Sequence, residues 1–186
     1  MIQSKLSLLW ALILSLTCWS AVLPGATAAP LLSAPLSAFT ATAPTHNAMA
    51  KKSLFSFSGK RPTNLGVTDG KLVPCPGTPN CVSSQAADTD AEHKIAPLTY
   101  SSSATEAIAK LKSVIQSMER TEIINEQENY LYAEFTSALM GYVDDVEFYV
   151  EPNGTIQVRS ASRLGQSDLG VNRKRIEDIR SRFDNA

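Results

Sequence analysis

Cysteine and histidine are scarce in this chain. Its 186 residues hold three cysteines and two histidines, too few for a four-cysteine zinc site or a disulfide-rich scaffold. A basic excess is missing too: 17 Lys and Arg stand against 18 Asp and Glu, a formal net charge of -1. Nucleic-acid binders displace counterions with a clear positive surplus, so that class is set aside. At 19% charged and 44% hydrophobic residues, the chain is not a highly charged disordered one. It has no Gly-x-Ser-x-Gly elbow, no phosphate loop, no His-Glu-x-x-His pair and no internal repeat.

What is present begins with an export signal over residues 1–28. Lys5 is its only charge, an apolar run extends from Leu6 to Leu23, and Pro24-Gly25 breaks the run ahead of Ala26-Thr27-Ala28. Small residues at that spacing suit signal peptidase cleavage after Ala28. The alternative is a retained anchor, because the run approaches the ~20 residues of a spanning helix. Residues 29–53 form a linker rich in Ala, Ser, Thr and Pro, with no sustained period to build a buried face. Lys51-Lys52 and Lys60-Arg61 punctuate the boundary, and membrane contact is expected only through leader or basic linker. Residues 54–186 make one globular domain.

The domain opens on Pro74-Cys75-Pro76-Gly77-Thr78-Pro79-Asn80-Cys81, a turn-forming stretch able to bring its two cysteines together. In an oxidising compartment their default state is a disulfide. A metal site, a redox dithiol and a catalytic thiol are the rivals, but the spacing is not Cys-x-x-Cys, and His93 is the only histidine beyond the linker.

Ser103 and Glu106 form a capping box for a helix whose stripe is Ala104, Ala107, Ile108, Leu111, Val114, Ile115 and Met118. Period-2 segments follow at Thr121–Gln127, Tyr130–Thr136, Asp145–Glu151 and Thr155–Ala161, the last two joined by Pro152-Asn153-Gly154. Keeping Val146, Phe148 and Val150 on one face with Ile156 and Val158 predicts Val150 opposite Ile156, Phe148 opposite Val158, and Glu147 opposite Arg159 on the reverse face. A second helix starts between Asp168 and Asn172, with Ile176, Ile179 and Phe183 inward. The predicted fold is α+β, a four-stranded, mainly antiparallel sheet with two helices on one face and the other face exposed.

Charge is unevenly spread. Between Glu119 and Glu151 acids outnumber bases nine to one, whereas from Arg159 onward bases lead seven to four. Arg173-Lys174-Arg175 in the first turn of the last helix has the wrong sign for a helix N-terminus and calls for acids nearby. Internal neutralisation accounts for this pattern; an arginine-lined anion site is the functional counterpart.

The runs Leu72–Ser84, Gly141–Phe148 and Val158–Arg175 closely resemble the family catalogued as domain of unknown function 1499. The resemblance extends from about Leu65 to the C-terminus. It implies a compact domain of bacteria, cyanobacteria and plastid-bearing organisms, often exported or membrane-associated, with no established reaction, cofactor or catalytic residues to carry over. The expected compartment is the periplasm or thylakoid lumen. Asp144, Asp145, Glu147, Arg159, Arg163 and Arg173 are the candidate residues for binding an envelope or lumen protein, a lipid headgroup or a small anion. The competing class is a hydrolase-like or metal-dependent enzyme using Asp144, Asp145 and Glu147 with Arg159 and Arg163. Lacking an evident nucleophile, the sequence favours binding over catalysis.

Overall fold

The computed structural model describes residues 55–186; the leader, the whole linker and Leu54 lie outside the described residues. The elements are β1 (Cys81–Ser83), β2 (Leu98–Thr99), α1 (Ala104–Gln116), β3 (Thr121–Gln127), β4 (Tyr130–Thr136), β5 (Val143–Glu151), β6 (Thr155–Ser162) and α2 (Val171–Asn185). The class is α+β as expected, but the sheet has six strands, not four. Its order is β1-β6-β5-β4-β3, and β2 also pairs with β6. The two unforeseen strands share one edge: β1 pairs with residues 159–161 of β6 and β2 with residues 155 and 156. At three and two residues, neither is long enough to show a period. Each is recruited by the free edge of β6, whose backbone groups need partners.

The β5–β6 hairpin adopts the expected register, with Val150 opposite Ile156, Phe148 opposite Val158 and Glu147 opposite Arg159. Gly154 turns the chain at φ 86°. An added Cβ there would lie 2.9 Å from the Tyr100 carbonyl oxygen, so both the turn and the close approach require glycine. A bulge between Ile123 and Asn125 shifts the register of β3 on β4, and Ile123 and Ile124, as neighbours in a strand, pack on opposite faces of the sheet.

Both helices pack on one face. Ala107, Ile108, Leu111, Val114 and Ile115 of α1 and Ile176, Ile179 and Phe183 of α2 share a core with Leu131, Phe135, Val146, Phe148, Val150, Ile156 and Val158. Each such side chain contributes about 1.5–3 kcal/mol on burial. The capping box is formed: the Ser103 hydroxyl accepts from the Glu106 amide at 3.2 Å, and the Glu106 carboxylate accepts from the Ser103 amide at 2.9 Å. That amide bond, with the Ser103 hydroxyl, holds Glu106 below its ordinary pKa.

The opposite face is covered, contrary to expectation. Leu65, Val67 and Leu72 lie over Tyr130, Tyr132, Ile124 and Tyr149 as a second apolar cluster. The segment that covers it has no helical or strand period. Its place is set by single polar contacts with the sheet.

Candidate functional site

Side chains alternate across a strand, and that alternation divides the predicted cluster. Asp145 and Glu147 of β5 share the covered face with Tyr130, Tyr132 and Glu134 of β4 and Arg159 of β6. Asp144 points to the helical face. The cluster of Asp144, Asp145, Glu147, Arg159 and Arg163 expected from sequence is therefore divided between the two faces, and the expectation that Glu147 and Arg159 stand exposed is corrected.

On the covered face, Glu147 is fully buried at 0% exposure. Its Oε1 accepts from the Gly66 amide at 2.8 Å and the Tyr130 hydroxyl at 2.9 Å, and its Oε2 accepts from Arg159 Nη1 at 3.2 Å. Arg159 is itself buried, and its Nε has no hydrogen-bond partner. Burial first, then the adjacent Glu147 charge, pushes the Tyr130 hydroxyl well above its ordinary pKa, so it remains a donor.

Beside this pair lies a larger one. Arg163, whose side chain is 5% exposed, donates to Asp145 through Nε at 3.0 Å and Nη2 at 2.6 Å, and its Nη2 also donates to Glu134. The Tyr132 hydroxyl sits 2.5 Å from Asp145 and 3.1 Å from Glu134, and accepts from Arg163 at 3.2 Å. Arg61, in the covering segment, reaches Glu134 from outside. Burial would lower the Arg163 pKa, but its bonds to Asp145 and Glu134 outweigh that and raise it. Burial likewise opposes ionisation of Glu134, yet Arg61 and Arg163 together hold its carboxyl below the ordinary value. Tyr132 is raised, by burial first and then by its bond to Asp145.

On the helical face Asp144 receives Arg175, whose Nη1 also donates to Ser160 at 3.0 Å and Asn172 at 2.5 Å. Asn172, fully buried, donates to the Asn80 carbonyl and the Ser162 hydroxyl, each at 3.0 Å. This network supplies the acids that α2 needs. Asp168 completes it by accepting from the Asn172 amide at 2.7 Å at the helix start. Arg173 joins neither group: it donates to the carbonyls of Lys94 at 2.8 Å and Glu92 at 2.9 Å, docking α2 on the preceding turn. His93 lies in that turn, with Nδ1 2.8 Å from Asp90 and Nε2 3.2 Å from the Thr78 carbonyl. Thr78 belongs to the loop closed by the Cys75–Cys81 disulfide.

As chemistry, the carboxylates of these arrangements are each taken up by internal donors. Asp144, Asp145 and Glu147 do not converge as a hard-metal set, and among the described residues no group of three or more His, Cys, Asp or Glu side chains could hold a metal ion. Two grooves among the described residues, of about 600 and 570 Å³, are lined by α1 with the β3–β4 turn and by residues 99–102 with α1 and Phe183; neither includes the arginines. Sequence reasoning missed Arg61, Gly66, Tyr130, Tyr132, Glu134, Asn172 and Arg175. The β4 residues carried a signal, since even positions of β4 share a face with odd positions of β5 once the two strands pair.

The exposed apolar residues have their own order. Phe55, Phe57, Leu139, Tyr142, Leu164, Leu169 and Val171 are the large hydrophobic side chains left exposed in the described residues. All lie where β4 ends, β5 begins, β6 ends and α2 begins, or on the segment laid across that end. The amides of Phe55 and Phe57 each donate at 3.2 Å, to the carbonyls of Leu139 and Met140, and the Phe57 and Tyr142 rings lie 5.9 Å apart.

A family model described as protein of unknown function (DUF1499) matches residues 71–183. The chain belongs to the DUF1499 family. No curated protein and no solved structure matches it. The matched DUF1499 region contains the buried pairs Glu147–Arg159, Asp145–Arg163 and Asp144–Arg175, whereas the half-exposed Arg61 reaches Glu134 from the segment ahead of it.

Proposed function

We propose that this DUF1499 protein is an exported, non-catalytic binding module of the periplasm or thylakoid lumen, and that it binds through the apolar end of its sheet. The carrying observation is that Asp145, Glu147, Arg159 and Arg163 are spent internally. Glu147, and Glu134 held by Arg163, fasten residues 61–66 over the sheet through Gly66–Glu147 and Arg61–Glu134, and the same segment lays Phe55 and Phe57 against the β4–β5 turn. The ions build the binding surface without being it. Export is supported by the leader sequence and by the Cys75–Cys81 disulfide, since such bonds persist in oxidising compartments.

A photo-crosslinking amino acid in place of Tyr142 tests the surface in living cells. The account expects an adduct there and none from the same group at Glu177, on the exposed side of α2. Adducts from neither position, or turnover of a substrate that survives loss of the apolar end, would overturn it.

A further inference from the structure

The exposed apolar end has a charge pattern that narrows its partner. The β4–β5 turn, Ser137 to Tyr142, contains no charged residue. Lys60, next to the Gly59 that lies under Leu164, and Lys174, one turn into α2 after Val171, are exposed. The chain contains no acid before Asp69, and Lys51-Lys52 and Lys60-Arg61 flank Leu54, Phe55 and Phe57 in sequence, with Arg61 paired to Glu134. Asp168, the acid in the β6–α2 connection, is occupied by the Gly170 and Asn172 amides. The surface is thus apolar at its tip with Lys60 and Lys174 beside it, while the acids at this end, Asp168 and Glu119, are held by the α2 amides and by Arg120.

Its shape narrows the partner further. Leu169 is 95% exposed at φ 55°, a backbone region that disfavours a branched side chain and from which folding gains no burial. Leu164 lies over Gly59, and the Arg163 amide donates to the Val143 carbonyl at 3.3 Å, so the two connections and the entering segment meet. Separate apolar tips on turns suit a deformable apolar medium better than a flat protein face, and aromatic residues with basic neighbours are favoured at lipid headgroups. The described chain also enters the domain at this end, where the Phe55 amide donates to the Leu139 carbonyl. Among the described residues no helix is long and apolar enough to cross a membrane, so the contact is one of surface docking.

We infer that this end docks on an anionic lipid surface, with Phe57, Leu139, Tyr142 and Leu169 at headgroup depth and Lys60 and Lys174 against the phosphates. The inference rests on the reading of this end as the binding surface, and its test separates the two. Amide hydrogen exchange of the full chain is followed without vesicles, with phosphatidylcholine vesicles, and with vesicles of equal parts phosphatidylcholine and phosphatidylglycerol. Exchange in residues 137–142 and 163–170 slows at least ~10-fold on the anionic vesicles alone, and high salt reverses the slowing.

Leu139→Ser with Leu169→Ser, in exposed positions, keeps the wild-type melt and loses the slowing. Unchanged exchange in both segments while the chain sediments with vesicles would show the leader binding by itself and overturn the inference. If a Tyr142 adduct to protein still forms in cells, only the lipid assignment falls; if none forms, the surface reading falls with it.

Discussion

Arg163→Ala removes the guanidinium that holds Asp145 and Glu134 together on the covered face. In the wild type Asp145 is 2% exposed and Glu134 half-buried. Truncation leaves Asp145 with the Tyr132 hydroxyl alone and Glu134 with Arg61 and the same hydroxyl. Breaking a buried pair from one side costs about 3–5 kcal/mol, because the remaining charge is uncompensated. For a domain of this size that lowers Tm by about 10 °C or more. Thermal melts followed by circular dichroism measure it.

The acid side of the stability curve is a second readout. Because the folded Glu134 carboxyl is held below its ordinary pKa, its contribution is present above the unfolded value of about 4.3 and is lost as pH falls through the folded value. The variant has less of this contribution to lose, so its acid decline is shallower. A melt within about 2 °C of wild type, less than one buried charge is worth, would refute the reasoning, since the arginine would then be a surface residue.

Three further outcomes follow. The exported protein has no alkylatable thiol at Cys75 or Cys81 by mass spectrometry without reductant, and reduction costs about 2 kcal/mol, the low end expected for so short a loop. His93 is held above its ordinary pKa by Asp90 first and by the Thr78 carbonyl, so its stabilising effect is complete below the unfolded value of about 6.5 and is lost as pH rises through the folded value; denaturant titrations of His93→Gln lack this slope. Ser103→Ala removes the α1 cap and lowers stability by about 1 kcal/mol, read as a lower urea midpoint with an unchanged m-value.

The register of β5 on β6 was legible because one-residue slippage would turn Val146, Phe148 and Val150 away from Ile156 and Val158. α1 was legible from its cap and stripe, and α2 from Ile176, Ile179 and Phe183. The acids sought by Arg173-Lys174-Arg175 could be anticipated as a class, and Asp144 and Asp168 turned out to be among them. β1 and β2 were illegible because pairing with β6, not a pattern of their own, makes them strands. The covered face was missed for a related reason. Arg61 meets Glu134 across 73 residues and Gly66 meets Glu147 across 81, and nothing in an aperiodic segment announces such partners. Grouping Asp144 with Asp145 and Glu147 took neighbours in sequence for neighbours in space, which strand alternation forbids.

Exchange at the Gly66 amide tests the central claim most directly, because this N–H donates to the buried Glu147 carboxylate only while the covering segment lies on the sheet. The account predicts strong protection in the wild type and its loss in Glu147→Leu, with the α1 amides still protected in both. A Gly66 amide exchanging at the rate of an open loop in the folded wild-type protein would contradict it.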